Sequence, residues 1–412
     1  MKIFTLSALS LTLICLFSCK KDHDKPVAPP TVPPTVIPTV KISLTNVGVG
    51  EIIVTEPTGN IVLDTLGPFT EPLIASLKTA YPLLNITSIQ YDTTTKNYTV
   101  NTYRSVDLTG WTSLNQASYR VPLMYIPYSN DTMVYTHVPI TTNFNALAND
   151  FAGNFGFGYG FNGTSLVVNY FNHGKSNYLY MLLPNPALYS FHIPKVPVDT
   201  LDYSQMDTAV RVTFIKPDVY STISSIELDG VMDTADFTKT LLLYQSFYFN
   251  SSSYPDLEYP RSSLVKKKQL GLTALGNGNI RGDYYSYGDS ITTTLPLTDE
   301  SAYNLISNQA NNFSLKFVSS KPSYYYTRWR NAAINWCIYS SPDSTAFDPQ
   351  DMLPALKSQL LKTQSLSGLS LQQLHLESVT AFDYAGLLSY THSPALMQKR
   401  RVSSAVGFTK TF

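Results

Sequence analysis

Along most of this chain apolar and polar residues alternate one by one, in short runs separated by Pro, Gly, Asn and Asp. Tyr98, Val100 and Thr102 alternate with Thr99, Asn101 and Tyr103. Val210, Val212 and Phe214 alternate with Arg211 and Thr213, and Phe313, Leu315 and Phe317 with Ser314 and Lys316. A period of two is that of a strand with two unlike faces. Residues 51–55 and 61–64 form an expected hairpin around Pro57-Thr58-Gly59-Asn60, and residues 85–91 and 97–106 a second one. Further strands are expected at 123–128, 133–138, 165–171, 177–183 and, at the end of the chain, 402–412.

The pattern departs from alternation in a few places. After Thr70, a candidate N-cap, Leu73, Ile74 and Leu77 fit one face of a short helix ending near Ala80. A helix over residues 300–308 carries Leu305 and Ile306, and one over 349–364 starts from Asp348 with Pro349 at its first position. Met352, Leu353, Leu356, Leu360 and Leu361 give that last helix an apolar face. The fold class is therefore mainly β: antiparallel, sandwich-like domains with two or three short helices. Pro184, Pro186, Pro194 and Pro197 make poor sheet interior, which places a boundary near residue 195 between domains 41–195 and 196–412.

The N-terminus obeys another rule. Lys2 precedes an apolar run from Ile3 to Phe17, then Ser18 and Cys19. A run of about 15 residues is short for a bilayer span, which needs about 20, and has the build of a secretory signal. Ser18-Cys19 after Leu16-Phe17 resembles the lipobox of bacterial lipoproteins, and the charged stretch Lys20 to Lys25 resembles surface lipoproteins of the Bacteroidetes type. The resemblance implies that residues 1–18 are removed and that Cys19 is lipidated, anchoring the chain to outer-membrane lipid and facing the cell exterior. Residues 26–40 repeat Pro, Thr and Val, so 19–40 reads as a stalk. In polyproline II geometry such a stalk holds the folded part of the chain roughly 45 Å from the lipid.

Composition narrows the partners. Lys plus Arg and Asp plus Glu are equal at 29 each, so no net charge draws the chain to nucleic acid. With Cys15 in the signal and Cys19 lipidated, Cys337 has no partner for a disulfide. Its apolar neighbours Trp336 and Ile338 suit a buried, inert thiol. No His or Cys cluster has metal-ligand spacing, and no cofactor is expected.

Several strings carry candidate chemistry. Gly158 to Gly163 spells GxGxxG, but it leads into the strand-like residues 164–170 where a dinucleotide site needs a helix. Gly288-Asp289-Ser290 resembles the first block of SGNH esterases. The family's Asp-x-x-His pair is missing, because Gln372 and Ser389 stand three residues before His375 and His392. Both this string and Arg281-Gly282-Asp283 read as turns. No catalytic constellation emerges.

Aromatic clusters remain. Tyr324, Tyr325, Tyr326, Arg328, Trp329 and Arg330 lie within seven residues. Phe157 and Tyr159 sit in a Gly-interleaved run whose rings share one strand face. Flat rings beside Arg suit a sugar or protein contact; the competing use is a buried aromatic layer. The expected function is a lipid-anchored, non-catalytic binding or accessory protein with a glycan or an envelope protein as partner. A hydrolase assembled from distant residues and a structural subunit of an envelope complex are the alternatives.

Overall fold

The computed structural model describes residues 38–45, 50–114, 129–139, 146–149, 158–172, 178–183, 187–193, 195–235, 240–247, 256–318, 320–347, 351, 357–393 and 403–412. The signal run, Cys19 and nearly all of the stalk lie outside these residues, as do the strand expected at 123–128 and Phe157.

The chain is mainly β, as the alternation implies. It begins with β1 (Thr39–Leu44), β2 (Glu51–Thr55), β3 (Ile61–Leu66), β4 (Leu73–Lys78), β5 (Leu84–Asp92) and β6 (Asn97–Val106). Pairs β2–β3 and β5–β6 are the two expected hairpins, and β2 also pairs with β5. The helix expected after Thr70 is instead β4, antiparallel to β1. Leu73, Ala75 and Leu77 also alternate with Ile74, Ser76 and Lys78, and a partner strand decides between the two periods. Pairing puts Leu77 in the core and leaves Ile74 79% exposed, which separates residues that a helix would have kept together.

Next come β7 (Ser129–Thr136), β8 (Ala146–Asn149), β9 (Gly158–Asn162), β10 (Ser165–Asn172), β11 (Leu179–Leu183), β12 (Leu188–His192), β13 (Val198–Asp202) and β14 (Asp207–Thr208). They make two four-stranded sheets, ordered β13-β7-β10-β9 and β14-β12-β11-β8. Met133, Tyr135, Val168 and Tyr170 of the first share one buried cluster with Leu179, Met181 and Leu183 of the second, so the two sheets form a small sandwich. Tyr180 and Leu182, at the alternate positions of β11, join the main core instead.

The remaining strands are β15 (Val210–Thr213), β16 (Tyr220–Val231), β17 (Thr240–Phe247), β18 (Asp256–Tyr259), β19 (Lys267–Gly276), β20 (Ile280–Gly288), β21 (Tyr303–Gln309), β22 (Asn312–Phe317), β23 (Tyr324–Arg330), β24 (Ile334–Ser340), β25 (Ser370–Val379) and β26 (Ala405–Thr411). Most join β2, β3, β5 and β6 in a 14-stranded sheet whose central order is β17-β16-β19-β20-β26-β25-β23-β24-β6-β5-β2-β3. Because β24 pairs in parallel with β6, strands from both sides of residue 195 share this sheet. The expected division there does not occur: residues 38–412 form one compact unit.

One other helix expectation is corrected, and a second is corrected over its C-terminal part. Residues 300–308 are a 3-10 turn, Glu300–Ala302, leading into β21, which pairs with β22. Leu305 packs on the core while Ile306 is 67% exposed, the two-faced arrangement of a strand. Of the helix expected at 349–364, Lys357 is helical, residues 359–363 are a turn, and 349–350 and 352–356 lie outside the described residues. The buried Glu51 carboxylate holds that turn by accepting from the Ser358 hydroxyl at 2.5 Å and from the Gln359 and Leu360 amides at 2.8 and 3.0 Å. A helix that the alternation did not suggest, α1, runs over Tyr384–His392. Asp383 caps it by accepting from the Gly386 amide at 2.8 Å.

One face of the large sheet is the main core: Leu272, Tyr284, Phe408, Leu376, Tyr325, Trp329 and Trp336 all lie in it. The other face is apolar over β2, β5 and β6, where Ile52, Ile86 and Tyr103 pack with Ile42, Leu77, Trp111 and the α1 residues Tyr384 and Leu388. Beyond β23 the same face becomes polar and opens into a groove.

Candidate functional site

Antiparallel register sets residues from distant parts of the chain side by side in rows across the sheet. One row runs Ser225, Thr273, Asp283, Gly407, Glu377, Tyr324 across β16, β19, β20, β26, β25 and β23. A second runs Glu227, Gly271, Tyr285, Ala405. A third runs Arg281, Thr409, His375, Tyr326, Tyr339. Ser225, Thr273, Asp283, Gly407 and Glu377 of the first row, all four residues of the second and His375 of the third line a groove of about 390 Å³.

Fixed pairs hold its polar groups. Arg281 donates to both oxygens of Asp283, with Nε at 3.0 and 2.9 Å and Nη2 at 2.8 Å, and the Thr273 hydroxyl adds a bond at 2.8 Å. That carboxylate raises the Arg281 guanidinium further above its usual range, so the pair presents a donor and an acceptor side by side. Glu377 accepts from the Tyr324 hydroxyl at 2.7 Å. His375 places Nδ1 2.8 Å from the Thr409 hydroxyl and Nε2 3.4 Å from Glu377. Its ring stacks on Tyr326 at 4.8 Å and 22°, and Tyr326 in turn meets Tyr339 at 5.3 Å. Burial pushes the Tyr326 hydroxyl up, so it stays neutral and able to donate. Glu227 accepts from the Gln245 amide at 3.0 Å. The groove thus offers carboxylates, the Tyr285 phenol and the His375 imidazole, with Arg281 and Tyr326 beside them on the same sheet face. Among the described residues no group of three or more His, Cys, Asp or Glu is placed to hold a metal ion.

The residues expected from the sequence divide between the two faces. In β23 the burial alternates, with Tyr325, Thr327 and Trp329 in the core and Tyr324, Tyr326, Arg328 and Arg330 on the other face. Trp329, expected as a stacking surface, is fully buried, donates from Nε1 to the Thr327 hydroxyl at 2.8 Å and meets Phe313 edge-on. It is a core residue and not a ligand contact. Tyr324 and Tyr326 border the groove, while Arg328 and Arg330 are exposed further along β23. Tyr159, on β9, is 60% exposed and belongs to the small sandwich, not to the groove.

Arg281-Gly282-Asp283 is not a turn. The turn is at residues 277–279, where Gly278 and Asn279 take φ of +71° and +61°, and the tripeptide already belongs to β20. Ser290 is exposed in a bend just after β20, and Asp289 beside it pairs with Lys267 at 2.7 Å. Glu227, Asp283, His375 and Glu377 were missed because no local motif joins them. The alternation of His375 and Glu377 on one strand face was the available signal.

Comparison with known protein families and with curated protein sequences finds no match to this chain.

Proposed function

We propose that this chain is a lipid-anchored protein of the outer cell surface that binds glycan in the groove without cleaving it. The observation that supports this most is the pairing of ring faces with fixed hydrogen-bonding groups in one open groove. Tyr285 and His375 bring ring surface to it, with Tyr326 stacked behind His375, while Asp283, held by Arg281, and Glu377 suit sugar hydroxyls, which both donate and accept. The anchor rests on Cys19 and the residues around it.

A second reading, hydrolysis, is favoured by one feature: Asp283 and Glu377 face each other across Gly407 in a single row. Their backbones are two strand spacings, about 10 Å, apart, and inverting glycosidases likewise set two carboxylates on either side of the bond they cleave. Against it, Asp283 is already clamped by Arg281 and Thr273.

An array of immobilised oligosaccharides tests both readings. Wild-type protein should bind at least one class, and Asp283→Asn with Glu377→Gln should weaken that binding at least tenfold, about 1.4 kcal/mol. Equal binding by the double variant would overturn the groove as the site. Release of reducing ends by the wild type, lost in Asp283→Asn, would establish the hydrolase instead.

A further inference from the structure

The geometry points to two subsites in this groove, one over Gly271 and one over Gly407, which together take a neutral oligosaccharide longer than one ring. This rests on the glycan reading of the groove. The inference starts from an oddity of sequence. Glycine inside a strand weakens it and gives up side-chain packing, so it usually marks a close approach. Three strand glycines here have such a reason: a Cβ at Gly230, Gly276 or Gly282 would come within 2.9, 2.5 or 2.7 Å of a neighbour. Gly271 has none, since a Cβ there would meet nothing within 4 Å. At Gly407 a Cβ would lie 3.4 Å from both Asp283 Cβ and His375 Cε1, an ordinary contact. Neither residue has the left-handed backbone that would require glycine. At Gly271 a side chain would fill open space, and at Gly407 it would fill the gap that Asp283 and His375 border.

Each gap is framed in its own row. Gly271 lies between Glu227 and Tyr285, and Gly407 between Asp283 and Glu377. The framing residues are two strand spacings apart, about 10 Å at the backbone. From one glycine to the other the path crosses two strands and advances two residues, about 12 Å on the diagonal. One ring fills one gap, so an occupant of both is a chain of rings lying obliquely across β19, β20 and β26. Charge restricts its chemistry. Glu227, Asp283 and Glu377 outnumber the one guanidinium of Arg281, so a uronate would set its own carboxylate against theirs, whereas hydroxyls donate to them.

The test is calorimetric titration of the full-length chain in detergent with neutral hexose and N-acetylhexosamine oligosaccharides of increasing length, and with oligouronates. Affinity should rise at least tenfold from one ring to several and then level off. Gly271→Val and Gly407→Val should each bring the longer ligands back towards single-ring affinity, the first without lowering the melting temperature. If Gly407→Val fails to fold, Gly271→Val, whose side chain enters open space, carries the test alone. Affinity independent of length and untouched by Gly271→Val would overturn the two subsites while leaving glycan binding in place. Oligouronates bound as tightly as neutral chains would overturn the charge selection. Absence of binding to every sugar would overturn both the two subsites and the glycan reading itself.

Discussion

Acidification should loosen the fold through one residue, His392, and the size of the effect can be worked out from its surroundings. His392 ends α1 and is completely buried, stacked on Trp111 at 3.9 Å and edge-on to Tyr103. Its Nδ1 lies 2.9 Å from the Ser113 carbonyl, which can only accept, so Nδ1 carries the proton. Nε2 is then left buried with no hydrogen-bond partner among the described residues. Burial pushes the imidazole down from 6.5 to about 4, against the smaller opposing pull of the Ser113 carbonyl. The folded form therefore refuses a proton that the unfolded chain accepts. Stability is fully present above pH 6.5, falls as pH drops through 6.5 towards 4, and flattens below 4. The whole loss is on the order of 3 kcal/mol, at about 1.4 kcal/mol per pH unit. His392→Phe keeps the stack on Trp111 and removes the titration. Urea unfolding of both proteins between pH 7.5 and 4 isolates the residue, because the carboxylates that also titrate are common to the two. The gap in stability between wild type and variant should shift in favour of the variant by that amount as pH falls. Parallel curves would refute the reasoning.

Three further outcomes are expected. Trp329→Ala should cost about 3–5 kcal/mol in urea unfolding, since it empties a fully buried site next to Phe313 and Phe347; a near-neutral result would contradict its place in the core. Arg104→Met leaves Asp351, 8% exposed at the side chain and bonded to Arg104 at 2.8 and 3.0 Å, without its buried cation. The single variant should lose about 3–5 kcal/mol, and Asp351→Leu in the same chain should restore much of it in a double-mutant cycle. Cys19→Ala should abolish incorporation of labelled fatty acid and move the protein from the membrane to the soluble fraction; equal labelling would rule out the lipid anchor.

The features legible in the sequence were those set by nearest neighbours. The hairpins β2–β3 and β5–β6 came from alternation and from turn residues such as Pro57 and Gly59. Two segments misread as helix, β4 and β21, contain apolar residues at both spacings, and the presence of β1 and β22 as partners chose the strand. Helix α1 had its signal in Asp383 ahead of Leu387 and Leu388, with Gly386 in the first turn hiding it. For Trp329 the alternation itself held the answer: a Trp between Arg328 and Arg330 in a strand points away from both. Of the groove, only the alternation of His375 and Glu377 on one face of β25 was legible. Glu227, Gly271, Asp283, Glu377 and Gly407 meet only through the registers of five strands, and a slip of one residue in any strand would turn its contribution to the other face.

The most direct test of the groove is a crystal structure of the protein soaked with the tightest-binding oligosaccharide from the array. Sugar rings should lie over Gly271 and Gly407, with hydroxyls on Asp283 and Glu377 and a ring face towards Tyr285, Tyr326 or His375. Sugar bound elsewhere, for instance against the exposed Tyr159 and Phe161 of β9, with the groove empty, would contradict the groove as the glycan site.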